Sequence, residues 1–182
     1  MLQLGVFVVG SAVFLWLSRS VFRQPKSHGF YRFFAWEAIL ALLVLNAPVW
    51  FEDRFAPHQL VSWALLFSSI GVLVAGLTLL QRLGKPDRSR ADPELFAFEK
   101  TSTLVTTGIF RYIRHPLYTS LLLLTWGIFF KQIDLMGLLC GLTATLFLWL
   151  TARRDEEECL AHFGEPYRRY MQHSKRFIPF VM

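Results

Sequence analysis

Two stretches of the chain concentrate side chains able to do chemistry. The first is Arg111-Tyr-Ile-Arg-His-Pro-Leu-Tyr118. The second is Asp155-Glu-Glu-Glu-Cys-Leu-Ala-His-Phe-Gly-Glu-Pro-Tyr-Arg-Arg-Tyr170, continued by Arg176-Phe-Ile-Pro179. A residue before proline is pushed out of the α region, and proline is welcome in a first helical turn. His115 is therefore expected as a turn or cap residue, with Pro116 opening a helix. That puts free N–H groups and the positive end of a helix dipole beside Arg114, which suits an anion. Tyr118 falls one turn further in and faces back toward the same mouth. In the second stretch Gly164 suits a helix end and Pro166 a new first turn. Phe163, Tyr167, Tyr170 and Met171 then share one face of a short amphipathic helix, opposite Arg168, Arg169 and Gln172. Taken singly, these residues also suit juxtamembrane charges and an interfacial aromatic belt. Arg153, Glu157, Glu158 and Arg168 are read that way, as solvated charges.

The elements that must position these groups lie in apolar sequence. The chain has 182 residues, 54% of them hydrophobic and only 18% charged, against about 25% charged in soluble domains. The apolar residues run in long blocks rather than at the interleaved periods of a soluble core. Leu2–Leu17, Phe30–Phe51, about Leu60–Leu83, Leu117–Phe130 and Ile133–Leu150 read as five transmembrane helices. The first is kept as a retained anchor, since it lacks the basic start and cleavage site of a signal peptide. Only Lys131-Gln132 separates the last two, so they are expected to form a tight hairpin that brings Arg114-His115 and Asp155-Glu156 to one membrane surface. Gly71, Ala75 and Gly76 offer packing spots on the third. Glu37, a turn and a half or so from Arg32 in the second, is either a functional intramembrane acid or a near-interface residue.

Charge gives orientation. The +6 net charge sits in the segment holding Arg19, Arg23, Lys26 and Arg32, in the connector Gln81–His115, and in the tail after Leu150. These fall on alternate loops, which places the N-terminus outside and the C-terminus inside. The same distribution speaks for a membrane surface and against nucleic acid as partner. Cys140 and Cys159 cannot form a disulfide scaffold, and His28, His58, His115, His162 and His173 are scattered, so no metal is expected. The chain divides into an N-terminal three-helix region, 1–84, and a region of connector, hairpin and cytoplasmic tail, 85–182.

Together the two segments resemble the C-terminal signature of the isoprenylcysteine carboxyl methyltransferase and phospholipid methyltransferase superfamily. The upstream pattern is a glycine followed by Arg-Tyr-x-Arg-His-Pro-x-Tyr, here Gly108 and Arg111–Tyr118. The downstream pattern is an acidic pair, then Phe-Gly-x-x-Tyr-x-x-Tyr, then Arg-x-Ile-Pro. Here it reads Asp155-Glu156, Phe163-Gly164, Tyr167, Tyr170 and Arg176–Pro179. The likeness covers roughly Lys100 to Pro179. It departs at Ile109, where the family has proline, and at Ser120, where it has glycine, a change expected to alter how closely a ligand approaches the fourth helix. The register of the acidic pair stays open between Asp155-Glu156 and Glu156-Glu157.

The resemblance implies an all-α, multi-pass membrane enzyme of a prokaryotic inner membrane, with S-adenosyl-L-methionine as methyl donor bound from the cytoplasm. It implies that Gly108, His115, Tyr118, Tyr167 and Arg176 hold the cofactor, and that Arg114 and Glu156 face the reaction centre. The acceptor would be lipophilic or membrane-partitioning, isoprenylcysteine carboxylate-like or phospholipid-like. A carboxylate nucleophile needs an orienting arginine and no base; an amine or alcohol also needs a proton acceptor, with Glu156 the first candidate. Sterol reductases share a similar Arg-His-Pro-x-Tyr region and use NADPH, so a reductase is the alternative, and a non-catalytic scaffold a third. Phe96, Phe98, Leu104, Ile109, Phe110 and Leu117 form an apolar set around the mouth, which either packs under the tail helix or lines a side opening to the bilayer.

Overall fold

The computed structural model describes residues 1–85 and 101–180. It is helical throughout, and among the described residues the one β-type pairing is an isolated parallel bridge between Ile113 and Lys175. The helices are α1 (Leu2–Leu17), α2 (His28–Asn46), α3 (Pro57–Leu83), α4 (Pro116–Phe129), α5 (Leu135–Phe163) and α6 (Glu165–His173). Prolines open α3 and α4 from within the first turn, where the missing N–H costs nothing. Asp134 caps α5 by accepting from the Gly137 N–H at 2.6 Å.

Three stretches, His28–Val49, Pro57–Leu83 and Leu135–Phe163, are long and apolar enough to cross a membrane, and the apolar α1 and α4 are shorter. The chain is an all-α membrane protein. Large apolar side chains on α1 and α3, such as Leu4, Val9, Phe67 and Val74, point outward, as a hydrocarbon surround requires.

α2 packs against α5, α3 against α4, α4 against α5, and α1 rests on α2. Small residues and hydroxyls stitch α3 to α4. Ser62 and Ser69 donate to the Gly127 and Ser120 carbonyls at 2.7 and 2.8 Å. A Cβ on Gly127 would lie 2.9 Å from Leu66, and one on Gly76 3.2 Å from Pro116. Gly71, expected as a packing spot, faces open space. Ser120 is buried in this seam, where its carbonyl accepts from Ser69. On the other side Ser11 of α1 donates to Glu37 at 2.6 Å, which ties that acid to helix association.

Two boundaries differ from the sequence reading. α2 ends at Asn46, and a 3₁₀ turn over Ala47–Val49 carries the chain onward. α5 does not stop near Leu150 but runs on to Phe163. No glycine or proline interrupts Thr151–Phe163, and an Arg154–Glu157 pair at i,i+3 supports the extension. The helix breaks at Gly164, whose φ of 62° is open to glycine at little cost. The acidic run is therefore a helix face rather than a tail.

Candidate functional site

The site forms where three segments meet at the N-terminal end of α4: the turn before that helix, the last third of α5, and the strand-like tail after α6. Backbone bonds pin the tail to the turn. Lys175 N–H donates to the Tyr112 carbonyl at 2.9 Å, Arg114 N–H to Lys175 at 2.7 Å, and His115 N–H to Arg176 at 3.2 Å. Two arginines 62 positions apart in sequence numbering, Arg114 and Arg176, are thereby brought to one carboxylate.

That carboxylate is Glu156, whose side chain is 4% exposed. Its Oε1 accepts from Arg114 Nε at 2.9 Å and Arg176 Nε at 3.1 Å, and its Oε2 from Arg176 Nη2 at 2.6 Å. His115 Nε2 lies 3.3 Å from the same Oε1. Arg114 also donates through Nη1 to the carbonyls of Met171 and Ser174. A buried ion pair is stable only when such further bonds satisfy its remaining donors and acceptors, and here they do.

His115 stands between two acids, with Nδ1 3.4 Å from Asp155 Oδ2 and Nε2 facing Glu156. Burial works to lower its pKa, but the hydrogen bonds and charges of Asp155 and Glu156 outweigh this and raise it. The ring, with a carboxylate at each nitrogen, is favoured in its protonated form. It stacks on Tyr118 at 5.3 Å between centroids, and Tyr118 in turn reaches Asp155 with its hydroxyl. Burial pushes the Tyr167 and Tyr170 phenols up, so both stay neutral, and Tyr170 donates to the Phe110 carbonyl at 2.6 Å.

A cavity opens onto this cluster. Leu80, Leu104, Phe110 and Leu117 form an apolar wall, faced by Arg114, His115, Tyr118, Asp155, Cys159, Phe163, Tyr167 and Tyr170. Of the residues expected from sequence, Arg114, His115, Tyr118 and Tyr167 line it. Glu156 and Arg176 are not among the lining residues; they sit behind Arg114 and hold it. Gly108 is not there either. Its φ of 60° and its contact with Leu79, 2.6 Å from an added Cβ, make it a turn residue packed on α3. Of the apolar set expected at the mouth, Leu104, Phe110 and Leu117 line the cavity, Ile109 is not among its lining residues, and Phe96 and Phe98 lie outside the described residues, as do Arg88, Arg90 and Lys100.

Glu156 was expected as a proton acceptor. Its oxygens are instead committed to two guanidiniums and lie beside the His115 ring, which leaves it a poor base and a good anchor. The carboxylate on the cavity is Asp155. The missed signal was periodicity: Asp155, Cys159 and Phe163 recur at i, i+4 and i+8 of α5, so they share one face. Glu158 and Arg153 are not simply solvated. Glu158 accepts from the His28 backbone and ring at 2.8 and 2.6 Å, and Arg153 lies over Trp149 at 4.9 Å. Glu157 and Arg168 make only exposed pairs at i,i+3.

Comparisons with known proteins bear on what this cluster does. The family model described as phospholipid methyltransferase matches residues 63–165. Human protein-S-isoprenylcysteine O-methyltransferase is 34% identical over 85 residues, covering 44% of this chain and 29% of that protein. Methanethiol S-methyltransferase of Pseudomonas deceptionensis is 26% identical over 74 residues, covering 41% of this chain and 28% of that protein. The matches thus span less than a third of these curated relatives. No solved structure matches the chain.

Proposed function

The chain belongs to the phospholipid methyltransferase family, and from that premise we propose that it is a membrane-embedded methyltransferase using S-adenosyl-L-methionine. Its acceptor is a lipophilic or small membrane-partitioning molecule, isoprenylcysteine carboxylate-like or phospholipid-like. The observation that carries this reading is Arg114, which lines the cavity while Glu156 and the Met171 and Ser174 carbonyls fix its guanidinium.

The lining suits such a donor by its chemistry. A molecule bearing a sulfonium, an ammonium, a carboxylate and a purine meets here a carboxylate (Asp155), a fixed cation (Arg114) and a ring-lined wall of Tyr118, Phe163, Tyr167 and Tyr170. The bound donor supplies a methyl group on positive sulfur, whose C–S bond breaks as the bond to the nucleophile forms. Arg114 orients an anionic acceptor, or the charged end of the donor, without giving up a proton. Glu156 is the positioning residue for Arg114, joined by Arg176. His115 and Tyr118 hold Asp155 against the cavity, where its fixed negative charge faces the positive end of the bound donor. The apolar wall excludes water, and because charge is cancelled in the transfer a dry site favours the transition state. In-line placement of the two reactants supplies much of the rest.

We place the cofactor mouth on the cytoplasmic side, the N-terminus outside, five helices in the bilayer, and the chemistry in the 85–182 region. Leu80, Leu104 and Leu117 are then the side from which a lipid tail enters. S-adenosylhomocysteine is expected to raise the thermal midpoint of the detergent-solubilised chain while NADPH does not, since a ligand that binds only the folded state stabilises it by mass action. A response to NADPH alone would replace this reading with a reductase.

A further inference from the structure

The cluster is braced by a helix that the family match does not reach. His28 opens α2, outside residues 63–165, and is 1% exposed. Its backbone N–H donates to Glu158 Oε1 at 2.8 Å and its Nδ1 lies 2.6 Å from Oε2, so both oxygens of one carboxylate are taken. Arg32, one turn along α2 and 4% exposed, places Nη1 3.4 Å from His28 Nε2. A guanidinium can only donate, so Nε2 accepts and the ring proton sits on Nδ1, pointing at Glu158.

Asp155 is close by. Ligand-type atoms of His28, Asp155 and Glu158 all lie within 4.8 Å of one another. Such spacing could hold a metal, but a protonated Nδ1 and a guanidinium at Nε2 leave the imidazole no lone pair to offer. What the spacing does require is a counterweight, because Asp155 and Glu158 at i,i+3 on one helix are like charges on neighbouring positions. His28 supplies it. By claiming both Glu158 oxygens it fixes that carboxylate in one position beside Asp155, whose own partners are His115, Tyr118 and Cys159.

We infer that His28 is a positioning residue of the site, one that fixes the cavity-facing carboxylate Asp155 by binding and orienting Glu158, the like charge beside it. The inference rests on the methyltransferase reading for what the cavity takes. It also couples α2 to the donor pocket through α5, although α2 lines none of the cavity.

The test uses the full chain in nanodiscs, with S-adenosylhomocysteine affinity by calorimetry, KM for donor and acceptor, and the thermal midpoint. His28→Ala should weaken affinity and raise donor KM about tenfold, a coupling of the size seen within shared hydrogen-bond networks, with acceptor KM unchanged. His28→Asn, whose amide N–H reaches the Nδ1 position, should return affinity to within about threefold of wild type. In an Asp155→Asn background the His28→Ala effect should largely vanish. Should His28→Ala not fold, His28→Gln, whose amide reaches the Nε2 position instead, carries the same expected loss. Unchanged affinity, an equal loss in both backgrounds, or a lowered midpoint that Asn does not rescue would overturn the inference. Wild-type protein that binds no S-adenosylhomocysteine overturns the methyltransferase reading itself, whereas binding indifferent to His28 overturns only this step.

Discussion

The two ends of α4 each bury a cation, and they satisfy it by opposite means. Beyond the C-terminal end, Lys131 is 2% exposed. Its ammonium donates to Gln59 Oε1 at 3.0 Å and sits 3.4 Å from the Trp63 ring centroid and 5.1 Å from that of Trp50. Gln59 closes the loop by donating back to the Lys131 carbonyl at 3.3 Å. At the N-terminal end Arg114 is held by a carboxylate shared with a second arginine and an imidazole, and it still lines a cavity. The Lys131 arrangement uses rings and an amide, and it locks the α4–α5 turn. The Arg114 arrangement holds full charges in fixed positions around open space, which is a means of acting on a ligand. Lys131 also lines a cavity, with Gln59, His58, Glu52 and Asp53, so a buried cation beside open space is no sign of function by itself; what separates the two ends is that a carboxylate, a second guanidinium and an imidazole fix the Arg114 charge.

The largest expected effect would break the comparison if it failed. Glu156→Gln should lower kcat/KM by up to about 10²–10³, because the Arg114 charge it orients is misplaced and that preorganised interaction is lost in large part, with a smaller change in thermal midpoint. Lys131→Met should do the reverse. A cation over desolvated rings is worth about 2 kcal/mol or more, so the midpoint should fall by several degrees while kcat/KM stays within about threefold. Equal losses of activity in the two variants would mean that the two ends are not different in kind.

A smaller effect sharpens the account of the charged end. The pKa of His115 is raised in the folded chain. A raised value means the folded state holds its proton more tightly than the unfolded one. The associated stability is fully present below the ordinary histidine value of about 6.5 and is lost as pH rises through the folded value. The stability of the ligand-free protein should accordingly decline as pH rises above about 6.5, by at most about 1.4 kcal/mol per pH unit from this one group. His115→Gln should flatten that limb. A wild-type midpoint that rises over the same range would contradict the raised value.

Much of this was legible in sequence, for reasons the residues make plain. Long apolar runs announce membrane helices, and Pro116 and Gly164 mark the boundaries at which α4 begins and α5 ends. The meeting of Arg114, His115 and Glu156 followed from the short α4–α5 turn. Less legible was which acid faces the ligand, because that depends on carrying the period of α5 through polar residues that composition alone assigns to a tail. Glu158 was hidden for a different reason: its partner, His28, lies 130 positions away, and no local pattern links them. Lys131 reads in sequence only as part of the short α4–α5 separation, since nothing nearby in sequence shows that Trp50 and Trp63 would close over it.

The central claim is that the cavity at Arg114 is a site of methyl transfer, and one measurement addresses it directly. Membranes carrying the wild-type chain or Arg114→Ala are incubated with S-adenosyl-L-methionine labelled in its methyl group, and label is counted in the organic-soluble fraction. The account predicts incorporation by the wild type and a loss of about 10²–10³ in the variant at matched expression. Equal incorporation by the two, or none above empty membranes for either while S-adenosylhomocysteine leaves the wild-type thermal midpoint unmoved, would contradict it.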